Sequence, residues 1–234
     1  MKNKLILLAV IVFAIFIAGC EYDNYTAPTS FLSGNVVYNG KAVGVRSNAT
    51  QLELWQYTWD TKGKIARAKI SVYIAQDGSY SARLFDGDYK IVRLTGAPWS
   101  NPNTDTLNVT VSGNTTYDVP VTPFYTITGE TFTNSGGVIT STCMVNKVGT
   151  VAISSLTLYI GVTNIVDANN NAQTNVISSS GLTDLSTLKT NTVTLTNVSP
   201  TLLASRKYVY VRLGVQISGV GERFYTPVQK ITLN

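Results

Sequence analysis

Residues 70–94 read ISVYIAQDGSYSARLFDGDYKIVRL, a stretch in which alternating runs of apolar and polar residues are interrupted by turn-forming residues. Asp77-Gly78 separates the alternating runs 70–74 and 80–84, and glycine supplies the positive φ that a tight hairpin turn needs. Asp86-Gly87-Asp88 precedes a further strand-like run, residues 89–94. A period of two is typical of strands with one buried face. The stretch therefore predicts consecutive β-strands, the first two joined as a hairpin.

The rest of the chain follows the same pattern, and no amphipathic helix of convincing length is found. Short alternating runs are separated by clusters of Gly, Pro, Asn and Asp at close intervals, which is typical of a sandwich or barrel. Charged residues make up only 13% of the chain, a value typical of extracytoplasmic β domains when β-branched and aromatic residues are plentiful. The hydrophobic share of 44% excludes disorder for most of the chain.

Two prolines divide the chain. Pro120 and Pro123 cannot both belong to a central strand, because proline has no amide hydrogen to donate to a neighbouring strand. The prediction is an all-β fold with two antiparallel β-sandwich domains in tandem, residues 29–123 and residues 124–234. Each segment has the size of a small domain.

The first residues indicate export. Lys2 and Lys4 precede an apolar run over residues 5–18, which is too short to span a bilayer and has the order of a secretory signal peptide. Ile17-Ala18-Gly19-Cys20 resembles a lipobox, the motif at which bacteria acylate a cysteine and cleave before it. The resemblance implies a lipoprotein signal peptide at residues 1–19, lipidation of Cys20, and a tether at residues 20–28. Acyl chains would then hold the protein at a membrane.

Several kinds of chemistry are disfavoured. The chain has no histidine, which removes Ser-His-Asp and Cys-His catalysis and the commonest zinc ligand. Cys143 lies in an alternating run and is expected to be a small core residue. Asp167 begins an Asn-rich stretch that starts like a calcium loop but has no glycine at the required position. Without Lys2 and Lys4 of the predicted signal peptide, 16 basic against 13 acidic residues give a net charge of +3, which, with no basic cluster, argues against nucleic acid. We expect no catalytic residue, metal or cofactor.

One strand-like stretch, residues 52–59, is unusually aromatic. Leu52 and Leu54 are expected to point inward, so that the opposite face carries an acid and three large rings: Glu53, Trp55, Tyr57 and Trp59. Trp99, in a proline-flanked loop, is expected to add to this platform. Exposed rings of this kind can stack on sugar faces while nearby polar groups bind hydroxyls. The alternative is that the rings pack against the second domain or a loop.

Both domains carry family resemblances. Residues 34–40, 77–80 and 85–91, which contain GNVVYNG, DGSY and FDGDYKI, resemble the transthyretin-like (carboxypeptidase regulatory-like) domain. In the second domain, YVYVRL at residues 208–213 and FYTPV at residues 224–228 resemble the last strands of an immunoglobulin or fibronectin-III sandwich. That domain lacks tryptophan, the usual core residue of the latter fold.

With the lipobox, these segments resemble an outer-surface lipoprotein family of unknown function from Bacteroidota, found beside SusC/SusD glycan-uptake pairs. The resemblance implies a non-catalytic protein that binds a polysaccharide or assists a SusC/SusD-type complex. Glu21 and Asp23 resemble the acidic surface-export signal of that phylum, which implies an outer-membrane lipoprotein facing the exterior; a periplasmic orientation stays open. A scaffold of an outer-membrane complex and a surface adhesin, both without a sugar site, are the alternatives.

Overall fold

A computed structural model describes residues 26–59, 65–100, 106–178, 182, 189–194 and 206–233. These residues form strands and connecting loops, and no helix among them could cross a membrane. The predicted signal peptide, Cys20 and most of the tether lie outside the described residues. The strands of the first domain are β1 Ser30–Tyr38, β2 Lys41–Ala42, β3 Gln51–Trp59, β4 Ile65–Tyr73, β5 Ser79–Leu84, β6 Gly87–Arg93, β7 Trp99–Ser100, β8 Thr106–Val111, β9 Asn114–Thr116, β10 Val119–Pro120 and β11 Thr122–Pro123.

Two main sheets build the first domain. One has the order β4-β3-β6-β8 and is antiparallel throughout. In the other, β1 pairs with β5 and β2 in antiparallel fashion and with β9 and β10 in parallel. The inward faces contribute fully buried side chains such as Leu32 of β1, Leu54 of β3 and Ile91 of β6. The alternation of the sequence therefore reflects one buried face per strand.

The predicted hairpin around Asp77-Gly78 is only half right. The tight turn is present: Gly78 has φ +90° and donates its amide to Ala75 O at 3.0 Å, and the Asp77 carboxylate accepts from the amide of Ser79 at 3.0 Å. The strands on either side do not pair, however, because β4 joins β3 while β5 joins β1. The turn carries the chain from one sheet to the other, so that both strands bury their apolar faces in the same core.

The second domain also contains two sheets. Its strands are β12 Tyr125–Ser135, β13 Val138–Lys147, β14 Ile153–Gly161, β15 Gln173–Ser178, β16 Lys189–Thr194, β17 Tyr208–Ile217, β18 Arg223–Tyr225 and β19 Gln229–Thr232. One sheet has the order β12-β13-β16, and the other places β17 between β14 and the pair β18 and β19. Cys143 is buried in β13, and burial raises the pKa of its thiol to about 12, as suits a core residue.

The prediction of an all-β fold with two domains is thus confirmed. The largest cluster of buried apolar side chains runs through both domains, from Leu32 to Phe224, so the two sandwiches share a continuous core. The finer resemblances to transthyretin-like and immunoglobulin-like domains stay predictions.

Candidate functional site

The aromatic stretch lies in β3, at the centre of its sheet. Leu52 and Leu54 are fully buried, as the sequence predicted, and Trp55 lies on the opposite face, partly exposed. Trp55 pairs with Lys69 of β4 on one side and with Lys90 of β6 on the other. We call this outer surface of β4, β3 and β6 the Trp55 face. It presents one indole between two lysine side chains.

Glu53 fixes the indole. Its carboxylate forms an ion pair with Lys69 and accepts a hydrogen bond from Trp55 Nε1 at 3.2 Å. Glu53 is only 8% exposed, since both partners cover it. Its effect is to hold the orientation of the ring and to compensate the charge of Lys69.

The two other predicted rings are placed only in part. Both residues belong to β3. The backbone of Tyr57 pairs with that of Arg67 in β4, and the backbone of Trp59 pairs with that of Ile65. The side chains of Tyr57 and Trp59 lie outside the described part of the structure. Their contribution to the Trp55 face stays a prediction.

Trp99 is not exposed, contrary to the expectation that it would extend the platform. It is 2% exposed and belongs to β7, which pairs with β11 through Trp99 and Pro123. Its Nε1 has no hydrogen-bond partner among the described residues. The flanking prolines indicated a loop, but that loop folds inward, and the indole packs in the shared core near the start of the second domain.

The structure also reveals a junction that sequence reasoning missed. Arg212 of β17 is 0% exposed and donates hydrogen bonds to backbone oxygens of both domains. In the first domain it donates to Val45 O at 3.3 Å and to Gln76 O at 3.0 Å. In the second it donates to Val166 O at 3.0 Å and to Thr226 O at 2.9 Å. One guanidinium therefore joins the two sandwiches.

Tyr225 completes the surroundings of Arg212. Its ring lies 4.3 Å beneath the guanidinium carbon, its hydroxyl accepts from the amide of Ala168 at 3.1 Å, and its own amide donates to Gly44 O at 3.0 Å. Burial lowers the pKa of Arg212 to about 10, so the group stays charged at neutral pH. The π face and the carbonyl oxygens replace the water that the charge loses on burial.

A second contact reinforces the junction at its rim. Arg46 of the first domain forms a bidentate ion pair with Glu222 of the second, with Nε 3.0 Å from Oε2. The amide of Glu222 donates to Gly96 O at 3.2 Å. The bidentate geometry fixes the direction of the contact as well as its charge. The relative position of the two domains is thus set by the polar contacts of Arg212 and by this ion pair.

Asp167 serves this junction as well. It is fully buried, and its Oδ1 accepts from the amides of Asn169 at 2.8 Å and Asn170 at 2.9 Å and from the Asn170 side chain at 3.0 Å. These bonds fold the loop that presents Val166 O to Arg212. The Asn-rich stretch is thus a hydrogen-bonded turn. No cluster of metal-ligating side chains occurs among the described residues.

A cleft of about 630 Å³ opens between the two domains. The first domain contributes Tyr38 and Lys41 to its walls, and the second contributes Glu130 and Phe224. Because the junction fixes both walls, the cleft is preformed. Lys41 and Glu130 give its walls charges of opposite sign.

Comparison with known proteins assigns both halves of the chain. Residues 30–122 match the family described as "Protein of unknown function (DUF3823) N-terminal domain", and residues 125–230 match "Domain of unknown function (DUF3823_C)". A DUF3823 family protein from Bacteroides ovatus is 35% identical, with 88% of this chain and 100% of that chain covered and a TM-score of 0.78. A second, from Parabacteroides merdae, is 29% identical over the same shares, with a TM-score of 0.77.

A more distant structure shares the fold. It comes from Bacteroides uniformis, is described as a "putative carbohydrate binding protein", and is 19% identical, with 88% of this chain and 100% of that chain covered and a TM-score of 0.67. Among curated protein sequences, none matches the chain. The matches to both family models, and the 35% identity with the protein from Bacteroides ovatus, lead to one assignment: the chain belongs to the DUF3823 family.

Proposed function

We propose that this protein is a non-catalytic glycan-binding lipoprotein of the bacterial outer surface. The observation that carries the proposal is the Trp55 face, where a partly exposed indole is held by Glu53 on the outer side of a sheet. An indole combines a flat apolar surface with a fixed orientation, as stacking on a sugar ring requires. A sheet strand positions it rigidly, so little conformational entropy is lost on binding.

Two further observations support this proposal. The Bacteroides uniformis protein with the same fold is described as a "putative carbohydrate binding protein". In this chain, the acid on the Trp55 face is engaged with Lys69 and Trp55, which favours contact over acid–base chemistry.

The setting of the protein is part of the proposal. Acylation at Cys20 would anchor it in the outer membrane, and the tether over residues 20–28 would carry domains at residues 29–123 and 124–234. A SusC/SusD-type uptake complex is the proposed partner. Metabolic labelling with a palmitate analogue would test the anchor, since a Cys20→Ser variant should lose the label. A gene neighbourhood without glycan-uptake genes would argue against the partner.

The function itself is tested by affinity electrophoresis of the full chain in gels that contain polysaccharides. Trp55→Ala is expected to lower the affinity obtained from the retardation about fivefold or more, since it removes a contact worth at least roughly 1 kcal/mol. Tyr208→Ala is the matched control, because Tyr208 is an exposed ring on the second domain. Equal retardation of the native chain and the Trp55→Ala variant would contradict the role of the Trp55 face.

Docking on a partner protein is a second candidate function. Val176 is 56% exposed on β15, which pairs on one side with β14 and ends its sheet among the described strands. An exposed apolar residue on a sheet edge is suited to protein contact. A scaffold of this kind would migrate without retardation in every polysaccharide gel, and Val176→Lys would weaken its capture by a purified uptake complex.

A further inference from the structure

We infer that a groove next to the Trp55 face binds uncharged sugar units, which makes neutral polysaccharides the ligand class; this inference rests on the proposed function. The groove measures about 570 Å³, within the range of ligand sites in proteins. β1, β5 and β9 form one wall, and the end of β4 with the turn at Asn48 forms the other.

A row of hydroxyl groups crosses the first wall. Ser33 of β1 pairs with Ser81 of β5 on one side and with Thr116 of β9 on the other, so the three side chains lie side by side on one face of the sheet. Asn35 lies two residues further along β1 and therefore on the same face. The sheet thus presents neighbouring polar groups at the spacing of its strands.

An exposed tyrosine forms the opposite wall. Tyr73, at the end of β4, is 51% exposed, and Asn48 lines the groove beside it. Tyr73 pairs with Gln51 of β3. It lies four residues along β4 from Lys69, which pairs with Trp55. Trp55 and Tyr73 therefore lie on the same sheet face, with their backbones about 14 Å apart at the rise of a β-strand. One extended glycan can contact both.

The lining of the groove determines the class of ligand. In the part of the chain that the structure describes, no Asp, Glu, Lys or Arg lines it, and its polar groups there are hydroxyls and amides, which both donate and accept hydrogen bonds. Sugar hydroxyls have the same dual character. Among the described residues, the side chains of Ser33, Ser81 and Thr116 have no protein hydrogen-bond partner, and neither do those of Asn35, Asn48 and Tyr73.

Other ligand classes fit the groove less well. A carboxylated or sulfated sugar would lose its hydration without meeting a cation in the groove, which is costly for a charged group. On the neighbouring Trp55 face, Lys69 is compensated by Glu53, and Lys90 is also engaged with a partner. The chemistry on both walls is therefore that of a neutral glycan bound by one stacked ring and a row of hydroxyls.

Affinity electrophoresis of the full chain tests the inference with a β-glucan, a xylan and a galactomannan as neutral probes, and polygalacturonate as the acidic probe. We expect retardation by at least one neutral probe. Tyr73→Ala should lower the affinity for that probe about fivefold or more. The affinity of Tyr73→Phe, which keeps the ring, should stay within about twofold of that of the native chain. The matched control is again Tyr208→Ala, with circular dichroism to verify the fold of each variant.

The outcomes separate the inference from the function on which it rests. Retardation that is lost in Trp55→Ala but unchanged in Tyr73→Ala would overturn the groove and leave the proposed function standing. Retardation by polygalacturonate alone would overturn the neutral class. A native chain that no probe retards would overturn both. Loss in Tyr73→Ala with retention in Tyr73→Phe would support the groove.

Discussion

At the scale of single residues, Arg212 joins the two domains through one buried guanidinium. A fully buried guanidinium is costly unless each of its donors finds an acceptor, and here backbone oxygens of both domains accept. Arginine suits the position because its planar group donates in several fixed directions at once. Some of these oxygens depend on Arg212 in turn; Gln76 O also accepts from the amide of Val45 at 3.2 Å, whereas a buried oxygen that loses its donor is costly.

Arg212→Met is therefore expected to lower the free energy of unfolding by about 3–5 kcal/mol, the range for removing one partner from a buried charged network. Arg212→Lys should recover only part of this loss, because an ammonium group cannot reach the same set of acceptors. The measurement is urea denaturation at pH 7. Arg83→Met serves as the control, since Arg83 is an exposed arginine in β5; an equal loss in both variants would contradict the account.

At the scale of elements, Asp86 connects three segments of the first domain. Its Oδ1 accepts from Ser30 Oγ at the start of β1, at 2.5 Å, and from the amide of Gly113, between β8 and β9, at 3.0 Å. These two hydrogen bonds lower the pKa of Asp86 below its ordinary value of 3.8, and the bond from Ser30 has the larger effect. The carboxylate form is thus preferred in the folded state.

The pH dependence of stability follows from this shift. A lowered folded-state pKa stabilises the protein above the ordinary pKa of 3.8, and that contribution is lost as the pH falls through the folded-state pKa. Asp86→Asn should thus be less stable than the native chain at pH 7, and the difference should shrink between pH 4 and pH 2. Thermal unfolding at several pH values measures this; a constant difference over that range would contradict it.

Prediction from sequence worked best for elements whose pattern is local. Alternation predicted β3, with Leu52 and Leu54 inward, because one buried face is a property of the strand itself. The hairpin at Asp77-Gly78 was predicted wrongly, since a tight turn does not specify which sheet the next strand joins. Trp99 was misplaced for the same reason: the residues that bury it come from elsewhere in the chain.

At the scale of the whole molecule, the junction makes one unit of two sandwiches. Gly44 of the first domain forms an antiparallel bridge with Tyr225 of the second, and the apolar core continues between the domains. The sequence did not reveal this join. In β17, Tyr208, Tyr210 and Arg212 alternate with apolar residues, and such a pattern predicts a solvent-facing side. Only the folded chain brings Gln76 and Val45 over Arg212.

A single added methyl group at the junction should test this coupling. A Cβ at Gly44 would lie 2.5 Å from Tyr225 O and 2.9 Å from Arg212 Nη2, so Gly44→Ala should force the bridge apart. We expect a lower thermal midpoint and two resolved calorimetric transitions in place of one, because the domains lose their cooperative contact. Gly221→Ala is the matched control, since a Cβ there meets no atom within 4 Å. One unshifted transition in Gly44→Ala would contradict the coupling.

The central claim is that the molecule works by presenting exposed rings on one rigid sheet face to a glycan. Its most direct test is isothermal titration of the full chain and of the Trp55→Ala, Tyr73→Ala double variant with the polysaccharide that retards the native chain, together with the thermal midpoint of each. The account predicts that the double variant loses measurable binding while its midpoint stays within about 2 °C of the native value, because both rings are at least partly exposed. Unchanged affinity together with a much lower midpoint would show that the rings belong to the core, and would contradict the claim.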